Sequence, residues 1–150
     1  MNNRIVLYKP CSELEKVFIR PENGEVFIGY SSKKGPGVLK VNNPGDTDIF
    51  ILLVDVNKST KTYGLFVHSG SRAEAKVISD GTYEVYYTAG KTWVNYQQRF
   101  QDATTYAKFD ETLTFESDGL QYKIWELTMQ ATTEGNAPTS EIDPSDFPTP

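Results

Sequence analysis

Cysteine and histidine are almost missing from this chain. One of each, Cys11 and His68, occurs in 150 residues, which excludes an internal disulfide, a cysteine zinc cage and a multi-histidine metal site. Positive charge is also short: fifteen Lys and Arg stand against twenty Asp and Glu, a net charge of −5. That balance argues against a nucleic-acid binder that works by neutralising phosphates. No apolar run approaches the roughly eighteen residues of a membrane span, so no membrane insertion is expected. The amino terminus has no apolar core of a signal peptide, which predicts a cytoplasmic protein. Neither Gly-x-x-x-x-Gly-Lys nor Gly-x-Gly-x-x-Gly occurs, and Gly-x-Ser-x-Gly is absent too, so phosphate loops and the hydrolase nucleophile elbow are excluded. No repeat of 20 to 50 residues is evident.

Strong helix formers are scarce, with 7 Ala and 9 Leu, whereas Val, Ile and Thr number 34 and the aromatics 19. β-branched and ring side chains suit a pleated, half-buried surface and lose rotamer freedom in a helix. The composition therefore reads as all-β. From Val38 onward, strand-like runs recur every eight to twelve residues with turn signals between them, the spacing of a sandwich or barrel. Residues 49–56 (IFILLVDV) are apolar at seven of eight positions, which predicts a central strand covered on both faces. In 82–88, Tyr83, Val85 and Tyr87 share one face, while Thr82, Glu84, Tyr86 and Thr88 share the other.

Residues 16–20 and 25–30 flank Pro21-Glu22-Asn23-Gly24, which reads as a hairpin turning on Asn-Gly. The polar, Gly/Pro-rich stretch 31–37 (SSKKGPG) is the best boundary. It divides the chain into an extension, 1–36, a sandwich domain, 37–130, and an acidic, Pro-rich tail, 131–150. The tail composition predicts an extended, mobile segment, in which Ile142 and Phe147 are the two residues able to anchor it. Between 90 and 110 the period fails, leaving either a short helix or a decorated loop. Residues 120–130 read as the longest strand, with a change of apolar phase that one extra residue at a β-bulge, on an edge strand, would produce.

Chemistry-bearing groups are weakly patterned. Cys11, His68 and Ser69 carry no signature of nucleophilic catalysis, which also needs a group to orient the base. The acids, among them Asp55, Asp80, Glu84, Asp110 and Glu116, fall mostly where turns and solvated strand faces place them. Asn43, Asp46 and Asp48 lie close enough in one turn to offer calcium oxygen ligands, although the same NPGDTD run is a good turn for conformational reasons alone. The most suggestive feature is a group of rings in a polar stretch: Trp93, Tyr96 and Phe100, with Tyr106 beyond and Tyr86 beside them. If exposed, such rings anchor a protein interface or stack on sugars, with Gln97, Gln98 and Arg99 adding polar contacts; if buried, they close one end of the core.

The segment ISDGTYEVYY (78–87) resembles a recurrent element of bacterial immunoglobulin-like and prealbumin-like β-sandwich domains, in which a Gly turn launches an inward-facing Tyr-x-Val strand. Over roughly 37–148 the order VLKVNN, ILLVD, DGTYEVYYTAGKTW, YAKFDETLTFE, YKIWELTM, GNAPT and DFP is similar to a family of uncharacterised bacterial domains of that kind. The resemblance implies a β-sandwich without an assigned reaction and supplies no catalytic residues. This chain lacks the zinc-ribbon cysteines and membrane anchor that some of those composite proteins carry, and its first 36 residues lie outside the pattern.

The expectation is an antiparallel β-sandwich, immunoglobulin-like or prealbumin-like, that is not an enzyme and uses no cofactor. It would dock a protein partner through Trp93, Tyr96, Phe100, Tyr86 and Arg99. Carbohydrate binding on the same surface is the alternative, and an acid-based hydrolase a distant second.

Overall fold

The computed structural model describes residues 19–95, 97–129 and 139–148. Alternating apolar residues build one large sheet from β1 (Val26–Ile28), β4 (Thr62–Val67), β3 (Asp48–Asp55), β6 (Gly81–Gly90), β9 (Thr105–Phe109) and β12 (Thr139–Glu141), in that spatial order. A seventh strand, β10 (Leu113–Phe115), pairs with the start of β6. β9 pairs with the other end of that strand, at Tyr86–Ala89. A smaller sheet runs β11 (Ile124–Thr128), β2 (Gly37–Asn43), β5 (Ser71–Ile78). The small sheet packs on the large one, and the molecule is an all-β sandwich. Most neighbours are antiparallel, but β11 and β2 are parallel, with Trp125 beside Leu39 and Leu127 beside Val41.

β3 is central and buried on both faces, as its near-continuous apolar run predicts. Ile49, Ile51 and Leu53 point into the inter-sheet core, joined there by Leu39, Leu65 and Val85. Phe50 and Leu52 point the other way, into a second apolar cluster on the outer face of the large sheet. β6 shows the predicted division, with Tyr83, Val85 and Tyr87 on the inner face and Tyr86 on the outer. Gly64 in β4 makes the outer cluster possible. A Cβ there would lie 2.5 Å from the Phe50 ring, so only glycine lets that ring cross β4.

Three local expectations are corrected. Asn23-Gly24 does form a turn, with Gly24 at φ +88°, but residues 19 and 20 are not in a strand, and 16–18 lie outside the described residues. The strand after the turn, β1, pairs with β4 instead. The ladder is opened by Gly24 N–H on the Phe66 carbonyl and by Phe66 N–H on that of Glu25. This choice buries Phe27 against Phe50 and Trp93. Secondly, 120–130 is not one bulged strand. The Asp118 carboxylate accepts from Leu120 N–H and Gln121 N–H, holding a turn, and only Ile124–Thr128 forms β11. It does lie at a sheet edge. Thirdly, 90–110 holds no helix among its described residues. Instead β7 (Trp93–Val94) and β8 (Arg99–Phe100) form a hairpin, closed by Asp102 accepting from Lys91 and Thr92 N–H, followed by β9.

Parts of the two outlying regions belong to the sheets. Arg20 makes a two-pronged ion pair with Asp48, both contacts 2.8 Å. In the tail, β12 adds to β9, and a single 3₁₀ turn, Pro144–Asp146, delivers Phe147 to the outer face. Phe147 is 2% exposed, so the anchoring role foreseen for it is met.

Candidate functional site

The ring group singled out in the sequence is not an open patch. Trp93 is 2% and Phe100 3% exposed; they face each other across the β7–β8 hairpin and pack on Phe50 and Phe66. Both are core residues of the outer cluster, because the outer face of β3 and β4 is apolar and needs a cover. Tyr96 lies outside the described residues. Tyr86 and Arg99 are half-buried, and the tail covers them. Phe147 packs edge-on against Tyr86 and Tyr106, while its carbonyl accepts from Arg99 Nη2 at 2.8 Å. Glu84 accepts from the Tyr86 hydroxyl at 2.7 Å and pairs with Lys108. Burial and that bond to an anionic acceptor push the Tyr86 hydroxyl up to about 12.

The remaining chemical candidates are held in internal bonds. Asn43 donates from Nδ2 to the Thr47 carbonyl, and its Oδ1 accepts from Gly45 N–H. Asp48 is taken up by Arg20 and by Ser69 N–H, whereas Asp46 is exposed. The three do not converge as calcium ligands, and among the described residues no group of three or more His, Cys, Asp and Glu does. Burial would raise the Asp48 carboxyl, but the bonds from Arg20 and Ser69 outweigh it and hold it below the usual range. His68 Nε2 meets the Pro21 carbonyl at 2.7 Å, and Cys11 lies outside the described residues. At one end of the sandwich, Tyr83 donates to the Ser79 carbonyl, and Tyr63 bonds Ser79 Oγ and the Lys33 carbonyl. Lys61 bonds the Asp80 carbonyl and pairs with Asp55. This network ties five loops and strand ends together.

Two surfaces remain that the sequence reading did not single out. The first runs along Leu120, Tyr122 and Ile124, which are 94%, 53% and 47% exposed. Ile124 opens β11, and Leu120 and Tyr122 lie in the turn and the bridge to Ser117 that lead into it. β11 pairs with β2 alone, leaving its other edge without a partner strand among the described residues. Behind this strip, Trp125 is anchored by Nε1–H on the Thr114 carbonyl, with the Lys123 ammonium 4.9 Å above its ring. Trp125 is thus half-buried at the rim of the inter-sheet core. The second surface is a cleft of about 520 Å³ on the outer face at the β1 edge. Leu52 and Gly64 line it from the sheet, Ser59 and Thr60 from the β3–β4 turn, Tyr30 from the segment after β1, and Gln98 from the tip of the β7–β8 hairpin. The strip was legible as a phase change in 120–130, and the cleft left no pattern.

Fold and surfaces together define an all-β sandwich with an exposed apolar strip leading into an edge strand. No family model, no curated protein and no solved structure matches the chain. Among the described residues no helix is long and apolar enough to cross a membrane.

Proposed function

We propose that this chain is a non-catalytic interaction module that docks a protein partner along Leu120, Tyr122, Ile124 and the edge of β11 that has no partner strand among the described residues. The observation that carries the reading is the adjacency of those three exposed apolar side chains to a strand edge that has one neighbour among the described residues. An edge of this kind accepts an added strand, whose backbone supplies hydrogen bonds while alternate side chains supply specificity. The partner presents an extended segment with apolar residues at every second position. The engagement of Asp48, His68, Ser79, Tyr83 and Lys61 in structural bonds supports a role without turnover. So does the resemblance to uncharacterised bacterial sandwich domains of immunoglobulin-like or prealbumin-like type, which implies no reaction.

The test places a photo-crosslinking residue at position 120 and compares the adduct with that of the same chain carrying Tyr122→Ser and Ile124→Ser. One discrete protein adduct, lost in the double variant, is expected. An adduct pattern unchanged by the two substitutions, or none beyond that of a probe at exposed Asp46, would overturn the reading. Light scattering on the purified chain then tells whether the partner is a second copy.

A further inference from the structure

We infer that the cleft at the β1 edge is a separate binding site for a neutral, hydroxyl-rich ligand, a short saccharide. Its size falls within the roughly 300–1,000 Å³ of small-ligand sites. Among the described residues that line it none is charged, in a chain with fifteen basic and twenty acidic residues. An anion or cation would find no counter-charge there. What it does find is hydroxyl and amide groups: Tyr30, Ser31, Ser59, Thr60, Thr62 and Gln98. Among the described residues, the side chains of Tyr30, Ser31, Ser59, Thr60 and Gln98 make no hydrogen bond, although they come from three separate stretches of chain. Donors and acceptors that converge without being spent on one another suit a ligand with many hydroxyls.

The apolar side of the cleft is consistent with the same ligand. Tyr30 is fully exposed and offers a ring face, and Phe27 and Leu52 add apolar surface for the C–H face of a sugar. Gly64 contributes no side chain to the lining, and the strict need for glycine there, set by the Phe50 ring, keeps the cleft open. Gln98 is held at φ +48°, a left-handed conformation unusual for a residue with a side chain, at the hairpin tip beside the cleft. The carbohydrate alternative lay on the surface of Trp93, Tyr96, Phe100 and Tyr86; burial removes Trp93 and Phe100 from it, and the cleft supplies the chemistry elsewhere.

The experiment titrates the full chain with four neutral hexasaccharides (malto-, cello-, xylo- and fully N-acetylated chito-) and with a heparin hexasaccharide, followed by calorimetry. At least one neutral sugar is expected to bind, with an affinity unchanged between 0.05 and 0.5 M salt (roughly a threefold change in Debye length), while the heparin fragment does not. Tyr30→Ala is expected to weaken binding by about tenfold. Ser59→Trp, at an exposed turn position, is expected to abolish it by filling the cleft. Circular dichroism melts of both variants should match the parent, since neither residue is in the core. Failure of all four neutral sugars, preference for heparin, or binding that survives both substitutions would overturn the inference.

Discussion

Asp48 is the residue on which charge and folding are most directly linked. It is 5% exposed, begins the central strand, and joins the start of the described chain to the β4–β5 corner through Arg20 and Ser69 N–H. A buried carboxylate survives when its lone pairs are occupied by donors, as here. Its folded value lies below the ordinary 3.8, so the stability it contributes is complete above that value. It is lost as pH falls through the lower folded value. Asp48→Asn keeps the shape and removes the charge. We expect it to cost about 1–2 kcal/mol near pH 7, a figure kept small because Arg20 is half in solvent. The gap between parent and variant should then close below about pH 4. Urea titrations at pH 7, 5 and 3 measure this, and a gap that is constant across the three would show that the ion pair contributes nothing.

Elements were legible in the sequence where period and turn chemistry agreed, and illegible where the chain reverses without either. β3 announced itself because an unbroken apolar run needs a cover on both faces. β6 did so because Tyr83, Val85 and Tyr87 alternate with polar neighbours and Asp80-Gly81 opens it. Spacing misplaced Trp93 and Phe100: seven apart, they suit one helical face, but they meet across a hairpin. Nor does an Asn-Gly turn name its strand's partner; β1 chose β4 for the sake of Phe27 packing on Phe50. The exposed strip escaped notice because Leu120 and Tyr122 look like residues of one long strand, whereas Asp118 holds Leu120 in a turn and Tyr122 bridges back to Ser117. β4 offers the sharpest test at this scale. Gly64→Ala places a methyl 2.5 Å from the Phe50 ring, and overpacking of this sort costs about 1–3 kcal/mol. Gly70→Ala meets nothing within 4 Å and bears only the strain of φ +65°, about 1 kcal/mol. A thermal melt in which Gly70→Ala is the more damaging would mean that the outer cluster yields easily.

At the scale of the molecule, the large sheet has two apolar faces, and among the described residues the three-stranded sheet covers one and a two-stranded hairpin the other. The inner face is closed by β2, β5 and β11, which come from three parts of the chain. The outer face is closed by a hairpin and by a ring near the end of the chain, Phe147, which packs on Tyr86 and Tyr106 beneath Arg99. The two covers differ in how they are attached. The β7–β8 hairpin continues directly from β6, while the segment bearing Phe147 is held by three register pairs of β12, by Ile142 N–H on the Tyr106 carbonyl, by Ser140 Oγ–H on Asp110, by Arg99 on the Phe147 carbonyl, and by the ring itself. A segment secured by so few contacts opens before the sandwich does, because local opening follows local contact density. Phe147→Ala removes the largest of those contacts. The loss is about 2–3 kcal/mol, below the full cost of a core phenylalanine because the segment can detach instead of leaving a cavity. In native-state hydrogen exchange the amides of Thr139–Ile142 should then exchange about 30-fold faster or more, the factor that 2 kcal/mol sets, while those of β3 and β6 keep the parent's order of protection. Equal acceleration in β3 and β6 would instead make the tail part of a single cooperative unit with the inter-sheet core.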